Sequence, residues 1–185
     1  MTQILAFVGM PSSGKDTAGE HLVNTFGARW WGHSDQIRKL AFEQGLENVE
    51  TSMLSRIFEE HARTNGNGWI AEEVKSAIEV FLSGHPKSLV VVTGVRFLEE
   101  LQVYRGLDGF QLVRLEADFE MRFRRAHDRQ RLGEQNLTRR RFREIEMLAG
   151  NANLSRLMQV PAHIIQNNEP NKLSFYRALE VLVAP

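Results

Sequence analysis

Two glycines and a lysine near the start of the sequence stand at a spacing that can do phosphate chemistry. Gly9, Gly14 and Lys15 follow the pattern Gly-x4-Gly-Lys, after an apolar run and before a helix-forming segment. Glycines let a loop curl so that backbone N–H groups point at phosphate oxygens. The helix N-terminus adds partial positive charge, and the lysine reaches the β- and γ-phosphates of ATP. The predicted nucleotide-binding residues of this loop are Gly9, Ser12, Ser13, Gly14, Lys15, Asp16 and Thr17.

One position of the loop departs from the usual pattern, and it bears on metal binding. The residue after the lysine is normally Ser or Thr, whose hydroxyl ligates Mg²⁺. Here that residue is Asp16, and Thr17 follows it. A carboxylate is a good Mg²⁺ ligand, so Asp16 and Thr17 are the predicted metal residues, Asp16 acting directly or through a water. The alternative is that Asp16 is only an acid that suits the first turn of a helix.

A block of arginines is the second feature with chemical potential. Nine arginines lie between Arg122 and Arg143, against two acids. Arg122, Arg125 and Arg129 are spaced by three and four residues, so a helix presents them on one face. A local block of arginines of this kind attracts phosphate in some form. We interpret residues 139–143 as a solvated helix face or a nonspecific patch that binds polyanions.

Composition excludes several classes of function. The chain has no cysteine, so disulfides, thiolate zinc sites and thiol catalysis are ruled out. Its formal net charge is zero, so no overall field attracts nucleic acid or membrane. No apolar stretch is long enough to span a bilayer, and the sequence lacks the features of a secretory signal. We therefore expect a cytoplasmic protein without a membrane partner.

Hydrophobic patterns indicate the elements that must position these residues. Strands are predicted at 2–8, 28–32, 89–93, 110–115 and 163–166, with amphipathic helices between them and Ser34 as the N-cap of one helix. This alternation predicts an α/β fold of three layers, a parallel sheet of about five strands with helices on both faces. Ligands of such sheets bind at the carboxyl ends of the strands, where Gly9, Asp35, Arg96 and Asn167 fall.

These motifs occur together in small P-loop kinases. The loop 9–17, residues 34–38, residues 93–96 and the arginine series of 120–129 follow one another in the same order there. The chain resembles nucleoside and deoxynucleoside monophosphate kinases, dephospho-CoA kinases and adenylate-kinase-like proteins of archaea and bacteria. The resemblance covers nearly the whole chain. It implies a single P-loop kinase domain, with an acceptor-binding helical segment at about 34–84 and a helical, arginine-rich lid at about 118–149.

The resemblance also implies roles for individual residues. Arg38 would hold the phosphate of the acceptor, with Arg96 beside it. Asp35 would orient the acceptor, or serve as a base if the acceptor is a hydroxyl. Asn167 would lie at the adenine pocket, and closure of the lid would exclude water from the reaction.

The resemblance also implies that the arginines of the lid take part in catalysis. Lys15, Arg122, Arg125 and Arg129 would be the catalytic residues, because a transferring phosphoryl group spreads its charge over three oxygens and needs several cations to neutralise it.

A second departure concerns the end of the third strand. Kinases of this kind usually carry an acid there that organises Mg²⁺, whereas here the strand runs into Thr93 and Gly94. One interpretation is that activity is weak. The others assign the metal-organising task to another acid, and the candidates are Asp16, Asp35, Glu99 and Glu100.

Three functions remain open from the sequence. The first is a kinase that uses ATP and Mg²⁺ to phosphorylate a nucleoside or deoxynucleoside monophosphate. The second is a hydroxyl kinase of the dephospho-CoA kinase type. The third is a nucleotide-dependent switch or RNA-associated ATPase that uses residues 139–143. The neutral net charge favours a lid over a nucleic-acid site, and the protein is expected to be a monomer or a dimer.

Overall fold

The computed structural model describes residues 1–129, 136–147 and 153–183. Within these residues, each strand is followed by one or more helices. The strands are β1 (Gln3–Val8), β2 (Arg29–Gly32), β3 (Leu89–Thr93), β4 (Phe110–Glu116) and β5 (His163–Gln166). The helices are α1 (Lys15–Phe26), α2 (His33–Glu43), α3 (Thr51–Asn65), α4 (Trp69–Gly84), α5 (Leu98–Arg105), α6 (Phe119–Arg129), α7 (Arg139–Glu146), α8 (Leu154–Leu157) and α9 (Leu173–Val183).

The five strands form one sheet in the order β2-β3-β1-β4-β5. All four neighbouring pairs are parallel, and β1 lies at the centre between β3 and β4. Parallel pairing requires a crossover between consecutive strands, and the helices supply these crossovers. The predicted three-layer α/β fold with a parallel sheet of five strands is confirmed.

Alternate residues of β1 point to opposite faces of the sheet, and each face has its own core. Ile4, Ala6 and Val8 pack with buried residues of β3, α4 and α5 on one face. Leu5 and Phe7 pack with buried residues of α1 and α9 on the other. Because both faces are covered by helices, the strands read as nearly continuous apolar runs, which explains why the sequence located them well.

Two further hydrophobic clusters lie away from the sheet. One joins α2, α3 and α4 through Ile37, Leu54, Ile57, Phe58 and Ile70, which lie within the range predicted as the acceptor-binding segment. The other joins α6 to α7 through Ala126, Leu137 and Phe142. Residues 130–135 and 148–149 of the predicted lid lie outside the described residues.

Some details of the helices differ from prediction. Ser34 is not an N-cap, because α2 begins at His33 after Gly32, and no side chain caps the helix. The short helix α8 was missed, since four residues are too few to show a periodic pattern. Among the described residues, no helix is both long and apolar enough to cross a membrane.

Candidate functional site

The glycine-rich loop between β1 and α1 is shaped by close packing. An ideal Cβ on Gly9 would lie 2.5 Å from the Leu115 carbonyl oxygen and 2.6 Å from Ser13 Oγ, so no side chain fits there. Gly14 precedes α1 with a φ of 107°, a conformation that other residues rarely adopt. Ser13 is fully buried beneath the loop. The sequence motif therefore corresponds to a specific loop shape that requires both glycines.

Lys15 lies inside this loop and is surrounded by other cations. Its Nζ donates to the carbonyl oxygens of Gly9 at 2.8 Å and Met10 at 3.0 Å. Burial lowers its pKa to about 8, the Asp16 charge opposes this change, and the charges of Arg96, Arg122 and Arg129 add to it. Cations held this close together repel one another, so an anion bound among them would be strongly stabilised. The electrostatics are those of a phosphate site.

The loop opens into a cleft of about 870 Å³. Helices α2 and α3, the segment after β3, α6 and the end of β5 all contribute to its walls. The cleft brings together most of the residues predicted from the sequence, namely Gly9, Ser12, Gly14, Lys15, Asp16, Thr17, Arg38, Arg96, Arg125, Arg129 and Asn167. Ser13, Asp35 and Arg122 are not among its described lining residues.

Arg122 occupies a different place from the one its spacing suggested. Its Nε donates to the Ala117 carbonyl oxygen at 2.9 Å, and its guanidinium forms an ion pair with Glu146 at the end of α7. The guanidinium also lies over the rings of Phe119 and Phe142. Burial lowers the pKa of Arg122. These contacts hold α6 against α7, so Arg125 and Arg129 reach the cleft whereas Arg122 supports them from behind.

Asp35 and Arg38 form an ion pair at the edge of the cleft. Arg38 Nη1 donates to Asp35 Oδ1 at 3.0 Å, and both side chains are exposed. Asp35 Oδ2 would lie 2.4 Å from a Cβ on Gly32, so the carboxylate folds back over the end of β2. Arg38 borders the cleft with part of its charge compensated, and Asp35 is not among the residues that line the cleft.

A buried polar network supports the segment after β3. Glu100 accepts hydrogen bonds from the backbone N–H groups of Arg96 at 2.6 Å and Phe97 at 3.0 Å. His33 Nδ1 lies 3.3 Å from Glu100 Oε1, and His33 Nε2 lies 2.7 Å from the Tyr104 hydroxyl. Burial, aided by the Glu100 and Glu72 charges, raises the pKa of Tyr104 well above its usual value. The network fixes the backbone of Arg96 at the cleft, and burial lowers the pKa of that arginine.

The acids considered as replacements for the missing acid after β3 lie in different surroundings. Asp16 borders the cleft and interacts with Lys15 through its charge. Glu100 also borders the cleft, but its carboxylate is occupied by the two backbone N–H groups. Glu99 is exposed and accepts a hydrogen bond from Asn67 at 3.4 Å. Of the four candidates, only Asp16 combines a place in the cleft with proximity to the lysine of the loop.

The described residues do not form a complete metal site by themselves. No group of three or more histidine, aspartate or glutamate side chains in the described ranges is arranged to hold a metal ion. Asp16 and Thr17 offer oxygen donors beside the loop. Mg²⁺ commonly takes one or two protein oxygens and completes its shell with phosphate oxygens and waters. The donors present therefore fit a Mg²⁺ ion shared with a nucleotide.

Helix α3, which lies within the predicted acceptor-binding segment, forms a wall of the cleft through residues that the sequence did not identify. Its lining residues recur at helical spacing, and they are Leu54, Ser55, Phe58, Glu59, Ala62 and Arg63. Phe58 packs parallel to Phe97 with ring centroids 5.0 Å apart. The amphipathic pattern of α3 indicated an apolar face, but the edge of that face that borders the cleft depends on how α3 packs on α2 and α4.

Comparison with other proteins gives relatives in sequence and in fold. No protein-family model matches the chain. A UPF0200 protein of Methanosarcina mazei is 35% identical over 140 residues, which are 74% of this chain and 71% of that protein. Its designation names no activity.

Solved structures with the same fold include several kinases. A shikimate kinase from Bacteroides thetaiotaomicron has a TM-score of 0.60 at 13% identity, with 97% of this chain and 96% of that chain covered. A gluconokinase from Sinorhizobium meliloti 1021 has a TM-score of 0.52 at 14% identity, with coverage of 97% and 93%. At such identities the likeness establishes a P-loop kinase fold.

Proposed function

The chain belongs to the UPF0200 family, and we propose that it is a kinase that transfers the γ-phosphoryl group of ATP to a nucleoside or deoxynucleoside monophosphate. The observation that carries the proposal is the shared cleft. One continuous space of about 870 Å³ is lined by the phosphate loop and by α2, α3 and the segment after β3. A protein that only hydrolysed or sensed a nucleotide would not need this second wall.

The donor half of the cleft is suited to a nucleoside triphosphate. The loop amides and Lys15 would hold the β- and γ-phosphates, and Arg125 and Arg129 would approach from α6. Asp16 and Thr17 would hold Mg²⁺ together with the phosphates, and the ion would neutralise charge on the transferring group. Catalysis then consists mainly of positioning and charge neutralisation.

The reaction needs no general base if the acceptor is a phosphate. An oxygen of the acceptor's phosphate attacks the γ-phosphorus of ATP, and the bond from that phosphorus to the β–γ bridging oxygen breaks. The products are ADP and the nucleoside diphosphate of the acceptor. The attacking oxygen is already ionised near neutral pH. A hydroxyl acceptor would need a base, and the predicted base, Asp35, is paired with Arg38 and lies outside the cleft lining. This geometry favours a phosphorylated acceptor.

The acceptor half of the cleft suits a planar body with polar edges. Leu54 and Phe58 of α3 present an apolar surface, and Phe97 packs on Phe58. Glu59 and Arg63 stand one turn apart at the rim and offer a hydrogen-bond acceptor and a donor. A nucleobase combines a flat apolar face with N–H and carbonyl groups at its edge, and Arg96 lies nearer Lys15, where the acceptor's phosphate would be.

The alternative role as an RNA-associated ATPase is disfavoured by the pairing of the arginines on α7. Arg139 forms a two-pronged ion pair with Glu120, at 3.0 and 2.9 Å. Arg140 and Arg141 both pair with Glu144. Arginines neutralised by neighbouring acids release few counterions from a nucleic acid, and so contribute little to its binding.

A coupled phosphotransfer screen tests the proposal. The protein with ATP and Mg²⁺ should phosphorylate at least one acceptor among the nucleoside monophosphates, deoxynucleoside monophosphates and dephospho-CoA. Lys15→Ala is the background control. Turnover no higher than this background on every acceptor would refute the kinase proposal. Turnover on dephospho-CoA alone would show that the acceptor group is a hydroxyl and not a phosphate.

The acceptor wall is tested by a matched pair of variants on α3. Arg63 borders the cleft, whereas Arg56 on the same helix is exposed and outside its lining. Arg63→Ala should raise the KM for the acceptor about tenfold, as expected for loss of one hydrogen bond to a charged group, with little change in the KM for ATP. Arg56→Ala should change neither. Equal effects of the two variants would contradict the assignment.

A further inference from the structure

Asn167, at the end of β5, is a buried side chain whose polar atoms are already bonded. It is 5% exposed. Its Nδ2 donates to the Ser13 carbonyl oxygen at 2.9 Å, and its Oδ1 accepts from Arg125 Nη2 at 3.0 Å. Its backbone carbonyl accepts from the same Arg125 nitrogen at 2.9 Å, and its N–H donates to Glu116. One side chain therefore joins the phosphate loop to α6.

On the loop side, Asn167 controls the orientation of one peptide group. The carbonyl of Ser13 and the N–H of Gly14 belong to the same planar, trans peptide, so they point in opposite directions. A hydrogen bond that holds the Ser13 carbonyl toward Asn167 therefore turns the Gly14 N–H away from it. A Cβ on Gly14 would lie 2.4 Å from Asn167 Nδ2, so the second glycine of the motif also makes room for this amide.

On the side of α6, Asn167 holds the guanidinium of Arg125, whose hydrogen-bond donors are not all paired. Arg125 Nη2 is bonded to Asn167, whereas Arg125 Nη1 is buried and has no hydrogen-bond partner among the described residues. Burial lowers the pKa of Arg125, and the residue lines the cleft. An unsatisfied buried donor on a cation is costly unless a ligand accepts from it. Arg125 is thus placed to receive an anion.

We propose that Asn167 is a positioning residue that couples the phosphate loop to Arg125, so that one bound nucleotide engages both. The inference rests on the proposed function only in requiring a nucleotide in the loop. Asn167 acts through the Ser13–Gly14 peptide and the Arg125 guanidinium, and contact with adenine is not its main task. The loop and the arginine then behave as one unit in binding ATP.

A double-mutant cycle tests the coupling through ATP affinity, measured by calorimetric titration. Asn167→Ala and Arg125→Ala should each weaken ATP binding about tenfold, the scale of a hydrogen bond to a charged group. If the two residues act as a unit, the double variant should be no more than about twofold weaker than Asn167→Ala. Additive losses, about a hundredfold in the double variant, would overturn the proposal.

Two other asparagine variants separate positioning from stability. Asn167→Asp keeps the shape and the acceptor for Arg125 but loses the donor to Ser13, so it should weaken ATP binding as Asn167→Ala does. It also provides the test should Asn167→Ala fail to fold. Asn171 caps the start of α9 by accepting from the Leu173 N–H at 3.0 Å, outside the cleft lining. Asn171→Ala should lower the melting temperature and leave ATP affinity unchanged.

The outcomes distinguish this inference from the proposed function. Non-additive losses of ATP affinity in a protein that phosphorylates no acceptor would support the coupling and refute the kinase. Additive losses, or wild-type affinity in both Asn167 variants, in a protein that does phosphorylate a monophosphate would refute the coupling alone.

Discussion

The charge on Lys15 depends on solvent pH within an experimentally convenient range. Burial lowers its pKa from 10.5 to about 8, and neighbouring arginines contribute. The charged form, which binds phosphate, therefore predominates below about pH 8 and is lost above it. ATP affinity should be level from pH 7 to 8 and then fall by up to tenfold per pH unit. Calorimetric titration across pH 7 to 9.5 measures this fall.

Proton uptake provides the control for this pH dependence. Bound phosphates favour the charged lysine, so binding above pH 8 should take up a proton, which appears as a dependence of the binding enthalpy on the buffer. The Lys15→Met variant should bind ATP weakly. Its affinity should not fall with pH in this way, and its binding should take up no proton. An affinity that stays flat up to pH 9.5 in the wild-type protein would contradict the depressed pKa.

Asp16 is predicted to act through the metal. Asp16→Asn should lower Mg²⁺-dependent turnover by at least about tenfold while ATP binding without Mg²⁺ changes much less. The measurement belongs at pH 7, because the Asp16 charge raises the pKa of Lys15 and its removal would lower that pKa further. Glu20→Gln is the matched control, since Glu20 lines the cleft from the same helix. Equal losses of turnover and metal-free binding would show that Asp16 serves the loop and not the metal.

Single residues show how far the sequence could predict the site. The glycines and lysine of the loop were predictable because their spacing encodes a local shape. Glu100 and His33 were not, because their proximity depends on where α2 and α5 dock at the end of β3. The helical spacing of Arg122 with Arg125 was correct, yet it could not show that Glu146 would engage the first of them.

At the scale of elements, α6 and α7 form a pair that depends on Arg122. The Arg122 and Glu146 side chains are about nine-tenths buried, so removal of one charge leaves the other unpaired. Arg122→Ala should destabilise the protein by about 3 kcal/mol, measured by denaturant unfolding. Arg124→Ala, an exposed neighbour on α6, should have little effect.

A double variant separates a supporting role of Arg122 from a catalytic one. Arg122→Leu with Glu146→Leu removes both charges and retains apolar volume, so it should recover much of the lost stability. If Arg122 only supports α6 and α7, phosphotransfer should recover with stability. Recovered stability with activity still absent would assign Arg122 to the chemistry.

The elements themselves were largely predictable, because buried parallel strands are continuous apolar runs. Strands β3 and β5 have the predicted bounds. The wall formed by α3 was not predictable, since hydrophobic periodicity fixes which side of a helix is buried but not which neighbour it meets. The predicted acceptor-binding segment at about 34–84 contains α3, but the residues of α3 that line the cleft could not be read from the sequence.

At the scale of the molecule, the net charge is zero. Arg139 of α7 is paired with Glu120, and Arg140 and Arg141 are paired with Glu144. The dissociation constant for single-stranded RNA should therefore be higher than about 10⁻⁴ M at physiological salt, measured by fluorescence polarisation. Glu120→Gln with Glu144→Gln frees the arginines and should strengthen binding. Tight wild-type binding that falls steeply with salt would instead support an RNA-associated function.

The hydrogen bond from Asn167 to Ser13 joins residues 154 positions apart in the chain. At synthesis rates of about 5–20 residues per second, the ribosome adds Asn167 roughly 8–30 seconds after the loop. A nascent chain therefore carries the motif long before it has the finished pocket, because β4, β5 and Asn167 are still missing. Cellular ATP would bind only fully synthesised, folded copies, and at a hundredfold excess over Kd would stabilise them by about 2.7 kcal/mol. ATP would therefore stabilise only completed and folded chains, before any catalytic turnover takes place.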